Sequence, residues 1–364
     1  MVMRVDILIY IYIMLCICML AFDLVYLKKN NRGIKHLKSK KKQCKKYILA
    51  LSLENSSERD KAKRQLTQKL HKFSFLMTFH DVVMKLLNRE KTSELMEKWL
   101  HDNSDLFLEI KEDYMGNRST NKKAFYAYLV WQYSLCRSDN REAFASMMQM
   151  LVVENSIYCR ENALMALYVG GNAADVAKAY RQMVNNDILH SQKLVTDGLL
   201  AFQGNHEELF EELWRYRKEF SPYYGVAFIN YIRMASSGFE ERFFNLLKRD
   251  SVDSEVRIAI VRYFRSHPYK DAMEYLRNMV KNWKDYDWEI VSQAALTLER
   301  DLQSMKTVQA LIEGCRSTNW YIRKNSAESL FQMKDKRLLE IVIISEKDRY
   351  ARDMMNYKFE EKQE

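Results

Sequence analysis

The stretch "YIRKNSAESLF", residues 321–331, has an aromatic, an aliphatic residue and a basic pair, then two small residues, a leucine and another aromatic. Aligned on that leucine, nine-residue relatives begin at 159, 191, 224, 256, 290 and 322. They read "CRENALMAL", "SQKLVTDGL", "YGVAFINYI", "VRIAIVRYF", "IVSQAALTL" and "IRKNSAESL", and their starts are separated by 32, 33, 32, 34 and 32 residues. A poorer copy, "NKKAFYAYL", begins at 121. Apolar residues recur at helical spacing within the copies. Turns follow at "GGNA" (170–173), "GNH" (204–206), "SSG" (236–238) and "SHP" (266–268). Second amphipathic helices come next: "DVAKAYRQMV", "EELFEELWRY", "ERFFNLLKR", "DAMEYLRNMV", "TVQALIEGC" and "RLLEIVI". The unit is therefore helix–turn–helix. A pair this short cannot bury both apolar faces alone, so neighbouring pairs must stack into one continuous core.

Composition points the same way. The 364 residues include only 9 Gly and 2 Pro, too few turn formers for a sheet-rich fold. Ala163, Ala294 and Ser326 share one place of the motif, where a small side chain lets helices approach closely.

The pattern resembles the HEAT or HEAT-like family, over about residues 155–345. In that family the second helix often opens after an Asp or Asn, with a Val-Arg pair and then small residues and a leucine. Asp253, Val256 and Arg257 match this, as do Asn319, Ile322 and Arg323, and more loosely Asn155, Cys159 and Arg160. Gln192, Gly225 and Val291 stand where the arginine is missing. The resemblance implies an all-α, right-handed α-solenoid of six to seven repeats over residues 121–350, whose stacked surface docks a protein. Residues 47–120 are helical in pattern but irregular, as a cap would be, with a break at "MGNRST" (115–120), and 351–364 read as a charged tail.

The net charge of +10 is concentrated in one place. Lys28, Lys29, Arg32, Lys35, Lys38, Lys40, Lys41, Lys42, Lys45 and Lys46 follow one another with no acid among them, which leaves residues 47–364 nearly neutral. Charge thus gives no argument for nucleic acid along the body. Ahead of the lysines, residues 7–27 are apolar apart from Asp23, and their helical rise of roughly 31 Å matches a bilayer core. These features predict a single-pass anchor in the plasma membrane, the N-terminus outside and the array in the cytoplasm. Lys28, Lys29, Arg32, Lys40, Lys41, Lys42, Lys45 and Lys46 would then face anionic lipid headgroups.

For chemistry, the chain offers little. Cys16, Cys18, Cys44, Cys136, Cys159 and Cys315 form no C-x-x-C pair; they read as buried hydrophobes, with Cys44, among lysines, open to acylation as a second reading. The seven histidines show no metal spacing, and no nucleophile or kinase signature occurs, so neither metal nor cofactor is expected. Arg160, Arg257 and Arg323 are expected to pair with a turn acid or amide, and Asp253 and Asn319 to cap helices. "WKDYDWE" (283–289) is the densest aromatic cluster and nominates Trp283, Tyr286 and Trp288 as partner contacts. The alternative is enzymatic. Some HEAT-like proteins resemble alkylpurine DNA glycosylases, for which Trp283, Asp287 and Trp288 would be the candidates; a lyase or a nucleic-acid-binding solenoid belongs to the same class of alternative. The favoured expectation is a non-catalytic, membrane-anchored scaffold for a protein partner. A glycosyltransferase-type envelope complex is one such partner, in a bacterium by the Lys-, Asn-, Ile- and Tyr-rich composition.

Overall fold

The computed structural model describes residues 5–52, 56–116 and 119–361, without the side chains of residues 5–9, 11, 32, 56 and 359–361. Within these residues the chain is all helix and turn. It divides into two compact units, Met1–Gly171 and Asn172–Glu364.

The first unit contains α1 (Val5–Leu51), α2 (Ser56–Leu70), α3 (Phe73–Leu87), α4 (Glu90–Asp102), α5 (Asp105–Glu109), α6 (Lys111–Met115), α7 (Thr120–Gln132), α8 (Arg141–Leu151) and α9 (Ile157–Gly170). The C-terminal part of α1 packs on α2 and α3, and α7 packs on α9. Buried tyrosines tie the helices together: the Tyr114 hydroxyl donates to Leu70 O at 2.7 Å and that of Tyr126 to Phe107 O at 2.7 Å.

The second unit contains α10 (Ala173–Asn185), α11 (Gln192–Leu200), α12 (His206–Tyr216), α13 (Pro222–Ala235), α14 (Glu240–Leu247), α15 (Ser254–Ser266), α16 (Lys270–Lys281), α17 (Trp288–Thr297), α18 (Met305–Cys315), α19 (Trp320–Leu330), α20 (Lys336–Ser345) and α21 (Arg349–Glu361). Alternate helices form two rows, consistent with an α-solenoid. In one, α11, α13, α15, α17 and α19 each pack on the next; in the other, α10 packs on α12 and α16 on α18. The motif copies from 191 onward occupy the first row, those at 121 and 159 fall on α7 and α9 of the first unit, and the second helices read from sequence fall on α10, α12, α14, α16, α18 and α20. Val261, Phe264, Leu276, Ile290 and Leu311 are buried in the core that the rows enclose.

Local signals explain the element boundaries. Asn172, Asn205, Asp253, Asn319 and Asp335 each accept a backbone N–H at a helix start, worth about 1 kcal/mol apiece. Asn172 and Asp175 complete a capping box. Gly238 takes φ +115° in the "SSG" turn, a conformation that side-chain-bearing residues rarely adopt.

Within the first row, a polar side chain of one helix repeatedly reaches a backbone carbonyl of its neighbour. Thr196 Oγ1 donates to Ala227 O at 3.2 Å, His267 Nε2 to Arg233 O at 2.9 Å, Thr297 Oγ1 to Val261 O at 3.2 Å, and Ser329 Oγ to Ala295 O at 2.8 Å. The first unit has the same device: Asn162 Nδ2 donates to Ala124 O at 2.9 Å. The approach is permitted by small residues; Ala294, Ser326 and Ala327 are fully buried.

Ion pairs tie the C-terminal helices together. Arg316 bonds both carboxylate oxygens of buried Glu346, at 3.1 and 2.9 Å, and Lys358 meets Glu328 at 3.2 Å. The carboxylate raises the Arg316 pKa through its hydrogen bond, against a smaller opposing effect of burial. Residues 349–361 thus form a packed helix that buries Ala351 and Met355.

One expectation is overturned. Among the described residues, no helix is long and apolar enough to cross a membrane. The predicted span at 7–27 lies inside α1, a single helix that continues through the lysines to Leu51. The stretch carries Asp23 and runs without a break into the lysines of 28–46. The transmembrane anchor, the single-pass topology and the plasma-membrane placement of the two ends fall with it. Residues 1–4 and the middle of the "MGNRST" break, 117–118, lie outside the described residues.

Cysteine burial is graded along α1. Cys18 is exposed and Cys16 partly so, whereas Cys44 is fully buried and its pKa is pushed up to about 11 by that burial. Burial also raises the thiols of Cys159 and Cys315. At pH 8 these stay protonated and shielded. Iodoacetamide should therefore label Cys16 and Cys18 of the native protein and leave Cys44, Cys136, Cys159 and Cys315 unmodified by mass spectrometry. Rapid labelling of Cys44 would contradict the packing of α1.

Close packing at Gly314 yields a second test. A Cβ there would lie 2.2 Å from Ser326 Oγ and 3.0 Å from Val280 Cγ1. Gly314→Ala should destabilise the protein by about 1–3 kcal/mol in urea unfolding, and adding Ser326→Ala should recover part of the loss.

Candidate interaction surface

The motif arginines sit in the first turns of α9, α15 and α19, and two of them turn back over the preceding connection. Arg323 Nη1 donates to Ser317 O at 2.8 Å and to Thr318 O at 3.3 Å. Arg160 Nη1 does the same to Glu154 O at 2.8 Å and Asn155 O at 3.0 Å. The partners are thus main-chain carbonyls, not turn acids or amides. The physical reason is visible at Asn319, whose Oδ1 is already occupied by Tyr321 N at 2.9 Å and Ile322 N at 3.3 Å. Arg257 differs: it lies beside the Tyr275 phenol, whose pKa its charge lowers against the larger, raising effect of burial. Asp253 Oδ1 accepts from Glu255 N at 2.9 Å.

The "WKDYDWE" segment divides. Residues Trp283–Asp285 form a 3-10 turn in which Trp283 is half-buried and carries Lys284 over its ring, 5.3 Å away. Tyr286 is also half-buried, close enough to Tyr275 to help raise that phenol's pKa, although burial is the larger cause. Asp287 stands at the N-cap position of α17 without a side-chain cap bond. Trp288 leaves this group and stacks on Tyr321, centroids 5.1 Å apart and planes 23° apart. Trp320 meets the same tyrosine edge-on at 5.1 Å.

The result is an aromatic stack at the N-terminal ends of α17 and α19, with Trp288, Trp320 and Tyr321 41, 47 and 51% exposed. Lys324 lies over Trp320 at 5.0 Å, and Arg323 lies 5.8 Å from the ring of exposed Tyr350. Sequence reasoning found Trp288 and missed its partners. The register contained the signal: Trp288 and Trp320 both stand two places before a motif copy.

The lysines of α1 fall into two groups. Lys28, Lys29, Lys35, Lys38, Lys42, Lys45 and Lys46 are exposed. Lys40 donates to Ser74 Oγ at 3.2 Å and Lys41 pairs with Asp81 at 3.4 Å, which engages both with α3. The Arg32 side chain lies outside the described set. Among the described residues no cluster of His, Cys, Asp or Glu could hold a metal ion.

No curated protein matches the chain. Among solved structures it is similar to a crystal structure of an engineered protein, a Northeast Structural Genomics Consortium target, at 14% identity and a TM-score of 0.31, covering 88% of this chain and 99% of that one. Residues 240–330, from the first residue of α14 to the last of α19 and including the aromatic stack, match the HEAT repeats family.

Proposed function

We propose that the chain is a non-catalytic interaction scaffold, and that the stack of Trp288, Trp320 and Tyr321 is the centre of its protein-binding surface. HEAT repeats commonly mediate protein interactions. The observation that carries the reading is the uncovered stack itself. Large aromatics at such exposure concentrate binding energy and lose little conformational entropy when covered. Trp283 and Tyr286, half-buried nearby, would border the contact.

The polybasic helix adds a second, electrostatic contact. Its seven exposed lysines favour an anionic surface, and lipid headgroups fit that requirement without any crossing of the bilayer. The protein should sediment with phosphatidylglycerol vesicles and not with phosphatidylcholine vesicles, and the binding should fall as salt rises. Lys28→Gln/Lys29→Gln/Lys35→Gln/Lys38→Gln should abolish it; equal sedimentation with both lipids would exclude this role.

For the scaffold, a photo-crosslinking residue at position 321 should capture one protein reproducibly from the native host. Trp288→Ala/Trp320→Ala should weaken that capture at least about tenfold, while unfolding free energy changes by under about 1 kcal/mol because the rings are exposed. Retention of the same partner at the same yield by the double variant would refute the assignment.

A further inference from the structure

The repeat places an arginine second in the motif at Arg160, Arg257 and Arg323, and a glycine at Gly225. Arg160 and Arg323 each reach carbonyls five and six residues back in the chain. Counting the same distance back from Gly225 arrives at Glu219 and Phe220. Beside that turn lies a groove of about 440 Å³, lined by Gly225 and Phe220 among others. It opens where the repeat's own arginine would lie.

The walls of the groove are aromatic. Trp214 and Phe220 are half-buried, and Phe228 and Phe243 are buried. Its charges are Arg217, Lys218 and Arg249 against a single acid, Asp253, which is engaged at the cap of α15. Arg217 Nη1 donates to Trp214 O at 2.9 Å, and its guanidinium lies over the Trp214 ring at 4.3 Å. Arg242 flanks the same ring at 5.6 Å and is neutralised by Glu211 at 2.7 Å. No carboxylate partner is present for Arg217 or Arg249 among the described residues. Burial, then the neighbouring charges of Arg249 and Arg242, lower the Arg217 pKa. A guanidinium held among like charges beside an apolar hollow is favourable ground for an anion.

We propose that this groove binds a small amphiphilic anion, its apolar body between Trp214, Phe220 and Phe228 and its anionic head between Arg217 and Arg249. The volume lies within the roughly 300–1,000 Å³ of small-molecule sites. The aromatic walls favour an aromatic or compact aliphatic body, and the paired guanidinium groups favour a carboxylate, sulfonate or phosphate over a neutral head.

The probe is 2-naphthoate, titrated calorimetrically into the full chain, with 2-naphthylmethanol as its neutral counterpart. We expect saturable one-to-one binding of the naphthoate and at least about tenfold weaker binding of the alcohol. Arg249→Gln, at an exposed position, should weaken the naphthoate about three- to tenfold, and Arg217→Gln by a similar factor. Gly225→Arg should abolish binding by filling the groove, with folding checked by circular dichroism. Its Cβ would stand 3.2 Å from Val256 Cγ2, so if this variant does not fold, Arg249→Gln decides. Lys306→Gln, in a different groove, should leave the affinity unchanged. Equal affinity for acid and alcohol, no saturable binding, or full affinity in Arg249→Gln would each overturn the site.

Discussion

Everything in the second unit depends on how closely one first-row helix can approach the next. A hydroxyl, imidazole or amide can donate to a neighbouring helix's carbonyl only if the two backbones are nearly in contact. At Ala227 and Val261 the carbonyl lies inside its helix and the neighbour uses its second lone pair, whereas Arg233 and Ala295 lie in the last turn of theirs, where a carbonyl has no partner within the helix. Each such bond contributes about 1 kcal/mol net. Their greater effect is on register. Ser329 meets Ala295 and Thr297 meets Val261 only in one axial setting of the two helices. A slide of one turn would leave the buried Ser329 hydroxyl without this partner, which costs about 1–3 kcal/mol, while Thr297 would keep its bond to Gln293 O in its own helix.

This constraint sorts the positions of the repeat. Places that face the next helix must be small or carry a short donor, as Ser326, Ala327 and Ser329 do. The place that turns back over the connection takes an arginine at Arg160 and Arg323, because a long fork can satisfy two carbonyls that would otherwise look into a tight turn. Positions at the helix N-terminus are under no such demand, since they project past the neighbour. There Trp288, Trp320 and Tyr321 accumulate without disturbing the stack beneath them.

The helical class and the repeat were legible because period and spacing are written in the identities of apolar residues. Caps such as Asp253 and Asn319 were legible for the same reason, being local chemistry within three residues. Interactions between residues far apart in sequence were not. No pattern announces that Glu346 will be buried under Arg316, or that Tyr321 will stack on Trp288, 33 positions earlier. The arginine partners were misjudged because a charge was assumed to seek a charge. In a short turn the nearest unsatisfied groups are carbonyls. The apolar start of α1 was read by hydropathy as a span, a reading that treats residues 7–27 as a segment apart from the lysines; the chain builds one helix through both.

Stacked repeats give departures from the pattern a definite meaning. Where a side chain recurs in the same contact, as Arg160 and Arg323 do, the fold accounts for it. Where a copy breaks ranks, the fold must tolerate an altered surface. Val291 breaks ranks by becoming fully buried, so the loss of arginine there is absorbed by the core. Gly225 breaks ranks by removing the side chain altogether; Val256 Cγ2 stands 3.2 Å from where a Cβ would be, and beside it remains a hollow with aromatic walls and guanidinium groups that meet no carboxylate among the described residues. Packing alone would favour closing such a hollow, since apolar walls without neighbours lose dispersion contacts. Its persistence beside two like-charged arginines runs against both packing and electrostatics, and an anionic occupant with an apolar body relieves both at once.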